Sequence, residues 1–328
     1  MRHCPPTVSA APPEPLTLGG VRAGGKRALA AALAQLEAAP EAESTIALLD
    51  AAYAAPIAHT IGLTGPPGVG KSTLTGSLIR AWRGQAKSVG VIAVDPSSKI
   101  SGGALLGDRT RLRAEPGDAG VFIRSMAARD RLGGLADLTV AALVLMRAVF
   151  DIVLVETVGV GQSETDVAGT VDTVVLCIQP GSGDALQFMK AGIIEIPHVV
   201  VVTKTDMGEA AARARADLAA ALDLREHFPG DWPVEALGLS ALTGDGVAAL
   251  VAAIDRHYTF IRADLATIRQ CQATQWLIGA VRARWGSEGL KLSGRIELPT
   301  GQAPFRALAR LDLRIRSAVA EGQQHGER

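Results

Sequence analysis

The sequence predicts a doubly wound, mostly parallel α/β sheet with helical N- and C-terminal extensions, on three observations. Seven apolar runs rich in β-branched residues, among them IVLVE at 152–156 and HVVVVT at 198–203, have the composition of strands buried on both faces. Helix-compatible segments separate most of these runs, the alternation that builds a parallel sheet covered on both sides. Ala- and Leu-rich stretches flank the alternating region at either end.

Taken in order, residues 1–15 hold five prolines, at 5, 6, 12, 13 and 15, and read as a disordered tail. Residues 21–54 read as two helices with Pro40 between them. The strand-like runs follow at Ile61–Thr64, Val89–Asp95, Val121–Arg124, Asp151–Glu156, Val171–Ile178, His198–Thr203 and Val234–Ser240. Helices are expected at 71–83, 135–149, 184–195, 208–223 and 246–258. From Ile261 to about Trp285 the chain is helical again, Gly286–Pro304 interrupts it, and a final short helix closes it. This divides the chain into an N-terminal tail and helical extension (1–56), a central α/β domain (57–260) and a C-terminal helical extension (261–328), the extensions either capping the core or forming an oligomer surface.

Composition narrows the function classes. The 328 residues are 48% hydrophobic and 20% charged, which is globular rather than disordered. Thirty-three basic residues balance thirty-three acidic ones, so no bulk field recruits nucleic acid or anionic lipid. The longest apolar stretch, Leu138–Phe150, is interrupted by Arg147 and is too short for a membrane span. Cys4, Cys177 and Cys271 are scattered, as are the six histidines, which argues against a disulfide framework or a zinc site and fits a reducing, cytoplasmic setting.

The strongest local signal is Gly65-Pro66-Pro67-Gly68-Val69-Gly70-Lys71-Ser72, followed by Thr73. It matches G-x-x-x-x-G-K-[ST] and lies between an expected strand and an expected helix, where that pattern must lie. Glycines let the backbone turn with its N–H groups inward, forming an anion nest at a helix N-terminus. Lys71 can reach the β- and γ-phosphates, and the Ser72 hydroxyl can ligate Mg²⁺. This is the signature of a nucleoside triphosphate site.

A Mg²⁺ site also needs carboxylates at the carboxyl ends of the strands. Asp95 and Glu156 each close an apolar run, and Asp108 in GGALLGDRTR can approach from a glycine-rich loop. In Glu156-Thr-Val-Gly159-Val-Gly-Gln162, Gly159 can present its amide to the γ-phosphate, an interaction that ends with hydrolysis. Gln162 either orients the attacking water or is structural.

Base choice is read from Thr203-Lys204-Thr205-Asp206, which resembles the N-K-x-D guanine element with Thr in place of Asn. A carboxylate at Asp206 can accept from both guanine N1–H and N2–H₂, donors that adenine does not offer there. Lys204 can lay its aliphatic stem along the base. Ser240-Ala241-Leu242, at another strand end, resembles the S-A-x element whose amides contact guanine O6. Together these favour GTP, and hence GDP, over ATP.

The runs GLTGPPGVGKSTL, VIAVDPSSKISGGALLGDRTRL, FIRSMAARDRLGGL, DIVLVETVGVGQSE and QPGSGDALQFMKAGIIEI resemble the MeaB/ArgK-type GTPases, whose vertebrate counterpart is the methylmalonic aciduria type A protein. The likeness extends over residues 15–285, and departs from the family at Thr203 and Asp130, where Asn and Gly are expected. It implies a P-loop GTPase that serves as a G-protein chaperone of an adenosylcobalamin-dependent acyl-CoA mutase such as methylmalonyl-CoA mutase. Such a protein gates loading of the cofactor from a cobalamin adenosyltransferase, protects the mutase, and forms a homodimer. The resemblance places the family's metal and switch acids at Asp95, Asp108 and Glu156. Its additional switch falls at Gly181–Lys190, where Gln187 and Lys190 become catalytic when the mutase docks. Two other readings of the same phosphate loop are a P-loop kinase and a transport-associated ATPase.

Overall fold

The computed structural model describes residues 16–96, 117–128, 137–157, 167–181, 196–223 and 230–326. Its centre is a seven-stranded, all-parallel sheet in the order β3-β2-β4-β1-β5-β6-β7. The strands are β1 (His59–Thr64), β2 (Val89–Pro96), β3 (Val121–Ala128), β4 (Ile152–Glu156), β5 (Thr173–Ile178), β6 (Val199–Val202) and β7 (Glu235–Gly238). Each overlaps one of the seven apolar runs, β3 extending four residues beyond the expected end at Arg124. Every residue of β1, β4, β5 and β6 is buried, because helices cover both faces.

Strand alternation divides the core in two. On one face Ile61, Leu63, Val91, Leu154, Val175 and Cys177 pack under α4 (Lys71–Gly84) and a later helix, Val247–Ile261. On the other, Ile92, Val94, Val153, Val155 and Val174 meet α5 (Asp137–Arg147) and the N-terminal helices α1 (Leu18–Ala23), α2 (Gly25–Ala38) and α3 (Glu43–Ala54). Farther along that face, Leu176, Ile178, Val200 and Val202 meet Leu218 and Leu222 of α6 (Glu209–Asp223). The helix Val247–Ile261 is α7.

The N-terminal region holds three helices where two are expected. Pro40 does separate α2 from α3, and Gly24 adds a further boundary between α1 and α2. The expected helix 184–195 and the tail 1–15 lie outside the described residues.

At the C-terminus, α8 (Leu265–Ser293) is broken at Gly286, whose φ of +66° is the left-handed conformation that glycine adopts readily. The closing helix α9 (Pro304–Gly326) runs for 23 residues, so the expectation of a short helix is corrected. Leu308 and Ile315 build a small core of their own with Leu277 and Val281 of α8, and that packing sustains the length. Ion pairs tie these helices to the N-terminal ones: Arg306 donates to Asp50 at 2.7 Å and to Glu43 at 2.8 Å. Among the described residues no helix is long and apolar enough to cross a membrane.

Candidate functional site

The phosphate loop leaves the carboxyl end of β1, the central strand, at the point where β4 and β5 flank it. Gly65 adopts φ +135° and lies so close to β5 that a Cβ there would stand 2.2 Å from the Cys177 carbonyl oxygen. Gly68 and Gly70 follow at φ +77° and +104°, and Gly70 caps α4 by accepting from Leu74 N. Three left-handed glycines thus turn the chain tightly from β1 into the first turn of α4.

Lys71 is buried, and its Nζ donates to the carbonyls of Gly65 at 2.6 Å and Pro66 at 3.0 Å. These oxygens hold the ammonium against its own loop. Pro67, Val69 and Thr73 complete the loop and the start of α4, with Val69 fully buried.

Ser72 donates to Glu156 Oε1 at 2.6 Å, and Thr75, one turn on, donates to Glu156 Oε2 at 2.8 Å. Parallel pairing of β1 with β4, in register Leu63 to Glu156, sets the carboxylate beside the loop. Thr157 extends the join, its N donating to Leu63 O and its Oγ1 to Thr64 Oγ1 at 3.1 Å. Asp95 stands at the same end of the sheet, two residues beyond Ala93, the β2 register partner of Glu156. Ser72 and Glu156 are the hard oxygen donors that Mg²⁺ takes. No group of three or more His, Cys, Asp or Glu side chains suited to a metal occurs among the described residues.

A second group closes the loop from the side of β6. Thr203 Oγ1 lies 2.8 Å from Val69 O and 3.1 Å from Ile178 O, and its single proton is shared between these two carbonyls. Lys204 has a left-handed φ of +53°, and its Nζ donates to Gly68 O and to Gln179 Oε1, both at 2.8 Å. Its stem thus spans from β6 to the phosphate loop. Asp206 is exposed in the short 3₁₀ turn Thr205–Met207. Ser240 and Ala241 follow β7, Ala241 O accepts from Ser77 Oγ of α4 at 3.1 Å, and Leu242 is exposed.

The described residues thus bring Gly65–Thr73, Glu156, Thr203, Lys204, Asp206 and Ser240–Leu242 to the carboxyl ends of the strands and the loops that leave them. Asp108, Gly159, Gln162, Gln187 and Lys190 lie outside the described residues. Sequence reasoning missed Thr75, Ser77 and Gln179. Thr75 and Ser77 stand four and six residues past Lys71 on one helix, and Gln179 directly follows β5, but their partners come into view only once strands distant in sequence are side by side. Burial pushes the Cys177 thiol up to about 12, with Lys71 opposing, so this cysteine behind the loop is a packing group.

Residues 28–288 match the family model described as methylmalonyl Co-A mutase-associated GTPase MeaB. A Pyrococcus horikoshii protein whose name is that of a GTPase is 48% identical over 207 residues, 62% of this chain and 65% of that protein. The mitochondrial methylmalonic aciduria type A homolog of Mus musculus is 39% identical over 68% of this chain and 55% of its own length. The chain thus spans less than two thirds of the length of both relatives. A solved structure of an LAO/AO transport system kinase superposes with a TM-score of 0.65 at 28% identity, covering 84% of this chain and 87% of that one.

Proposed function

Because the chain belongs to the MeaB family of methylmalonyl-CoA mutase-associated GTPases, we propose that it binds GTP and Mg²⁺ at this loop and hydrolyses GTP as a timing signal for a partner mutase. The observation that carries the reading is the Ser72–Glu156 hydrogen bond beside a phosphate loop that Thr203 and Lys204 clamp from the base side.

In this reading the loop amides cradle the phosphates at the N-terminus of α4. The Lys71 ammonium exchanges its two carbonyl acceptors for phosphate oxygens, where it opposes the charge that develops on transfer. Glu156 fixes the Ser72 hydroxyl, and Thr75 fixes Glu156 from its other oxygen, so the pair is oriented before ligand arrives. Ser72 and Glu156, with Asp95 and Asp108 as further acids, would hold Mg²⁺, which would supply charge neutralisation at the phosphates. Asp206 accepts from the guanine edge, Lys204 covers the base, and Ser240–Leu242 presents amides to O6. Thr203 retains the tie to Val69 O that an amide side chain would also provide. Gln162 orients water, and Gln187 and Lys190 join the site when the mutase docks.

The client is an adenosylcobalamin-dependent acyl-CoA mutase, with a cobalamin adenosyltransferase as the source of the loaded cofactor. The central residues 57–260 form the GTPase unit of a cytoplasmic homodimer, and 261–328 supply its dimer contacts. Support comes from the family's description and from the name of the mouse relative. The test is steady-state phosphate release from GTP and ATP, with and without a panel of purified cobalamin-dependent mutases. GTP-selective turnover raised at least about tenfold by one mutase supports the reading and identifies the client. Equal, unstimulated turnover of both nucleotides overturns it.

The solved relative carries the name of a kinase, which favours a second reading, phosphoryl transfer to a small-molecule or protein acceptor. Label from the γ-phosphate appearing on an added acceptor, with no free phosphate, would establish that reading instead.

A further inference from the structure

Between α3, α5 and α8 two arginines are buried beside a single carboxylate. Arg269 donates from Nε to Asp172 Oδ1 at 2.8 Å and from a terminal nitrogen to Asp172 Oδ2 at 2.7 Å, and it also reaches Ala58 O at 2.8 Å. Asp172 Oδ2 additionally accepts from Thr60 N at 2.8 Å, so the carboxylate is fully used.

Arg147, at the end of α5, is 4% exposed and has no such partner. Among the described residues its guanidinium makes no hydrogen bond and no ion pair, and its Nε is fully buried. It stands over the face of Tyr53, with 5.7 Å between Cζ and the ring centroid. Burial, with repulsion from Arg269 and against attraction from Asp172, brings this guanidinium down to about 10, which leaves it charged at neutral pH. Among the described residues, the group of Arg147, Arg269 and Asp172 therefore holds two buried positive charges against one carboxylate. An isolated buried ion is strongly unfavourable unless something compensates it.

Both arginines line one cavity, together with Tyr53, Thr170, Gln272 and Trp276. The Trp276 Nε1–H is a second buried donor that has no acceptor among the described residues. The space left for the centres of water-sized molecules is about 30 Å³, which suits one or two waters or an ion of similar size. Water can accept the orphan hydrogen bonds, but it leaves the charge unbalanced.

We propose that this cavity binds a small monovalent anion of about the size of chloride, with Arg147 as its countercharge. The walls come from α3 of the N-terminal extension, α5 of the sheet's cover and α8 of the C-terminal extension. An occupied site fastens both extensions to the sheet. Nucleoside phosphates are far too large for it, so the site is separate from the phosphate loop.

The test is thermal unfolding of the full chain at constant ionic strength as gluconate, too large to enter, is exchanged for chloride. A saturable rise in melting temperature of about 2–4 °C is expected for the wild type. Arg147→Met keeps the apolar stem and removes the charge, and its melting temperature is expected to be indifferent to the exchange. Bromide-soaked crystals of the wild type give a readout that does not depend on the variant folding: an anomalous peak against the Arg147 guanidinium is expected. A cavity that holds only water in those crystals overturns the proposal. So does a folded Arg147→Met variant with the wild-type response to chloride.

Discussion

Ser72, the second residue of α4, and Glu156, the last residue of β4, are joined by a hydrogen bond of 2.6 Å across 84 positions of sequence. The bond fixes which way the loop hydroxyl and the strand-end carboxylate face. Glu156→Gln keeps the shape but replaces one accepting oxygen by a donor, so either Ser72 or Thr75 is left without its acceptor, and the negative charge is gone. We expect Mg²⁺-dependent GTP hydrolysis to fall by about 10²–10³-fold with the fold retained by circular dichroism. Hydrolysis near the wild-type rate in that variant would remove Glu156 from the site.

The phosphate loop also makes a prediction about backbone space. At Gly65 an added Cβ would meet the Cys177 carbonyl at 2.2 Å, in a buried strand that cannot move aside. At Gly68 the same atom meets nothing within 4 Å, although φ is +77°. Gly65→Ala should therefore cost about 3 kcal/mol or more in urea unfolding. Gly68→Ala should cost only the left-handed strain, about 1–2 kcal/mol. Equal losses at the two positions would show that strain, and not the approach to β5, governs the loop.

In the proposed reading base selectivity rests on Asp206, which sits exposed in the 3₁₀ turn that follows the anchored Lys204. Asp206→Asn places a donor where guanine also donates, and should weaken GTP by about 10–100-fold, since each broken charge-assisted hydrogen bond is worth about 1.5–3 kcal/mol. The same carboxamide can donate to the C2 carbonyl of xanthine, so XTP binding should rise. Titration of both nucleotides against the variant decides the matter; unchanged GTP affinity would move the base elsewhere.

Much of this architecture was legible because the signals are local. Apolar, β-branched stretches such as IVLV before Glu156 suit a strand buried on both sides, and all seven runs became strands. The phosphate loop was legible because glycine spacing states backbone conformation directly, as Gly65, Gly68 and Gly70 show. What could not be read depends on distant partners. Nothing near Arg269 announces a bidentate pairing with Asp172, 97 residues away. Thr203, where Asn was expected, keeps its hold on the loop through a hydroxyl, which only the position of Val69 reveals. The length of α9 likewise comes from packing on α8 rather than from its own composition.

Histidines that are dispersed in sequence meet at the amino end of the sheet, and this makes folding acid-sensitive. Thr173 Oγ1 sits 2.7 Å from His59 Nε2 and 2.8 Å from His257 Nδ1, while the His198 and His257 rings stack at 4.0 Å. Tyr258 stacks on His59 at 4.1 Å, and Trp232 meets His257 edge-on. The charges facing the cluster are Asp172, which favours protonation, and Arg269, Lys87 and the neighbouring imidazoles, which oppose it. Burial dominates and holds His59 and His257 each down to about 3, against an ordinary value near 6.5. Both are therefore neutral in the folded chain, whereas the unfolded chain takes up their protons below pH ~6.5. Stability is full above that pH and falls as the pH drops toward about 3, with a slope of up to about 1.4 kcal/mol per pH unit for each histidine. Urea unfolding at pH 7 and pH 5 should differ by about 2–4 kcal/mol. Replacing His257 by Gln should remove roughly half of that difference, because a neutral amide can still bond Thr173 and does not titrate. A wild-type stability that is level between pH 7 and pH 5 would mean that the imidazoles reach water, and that the cluster opens without the fold.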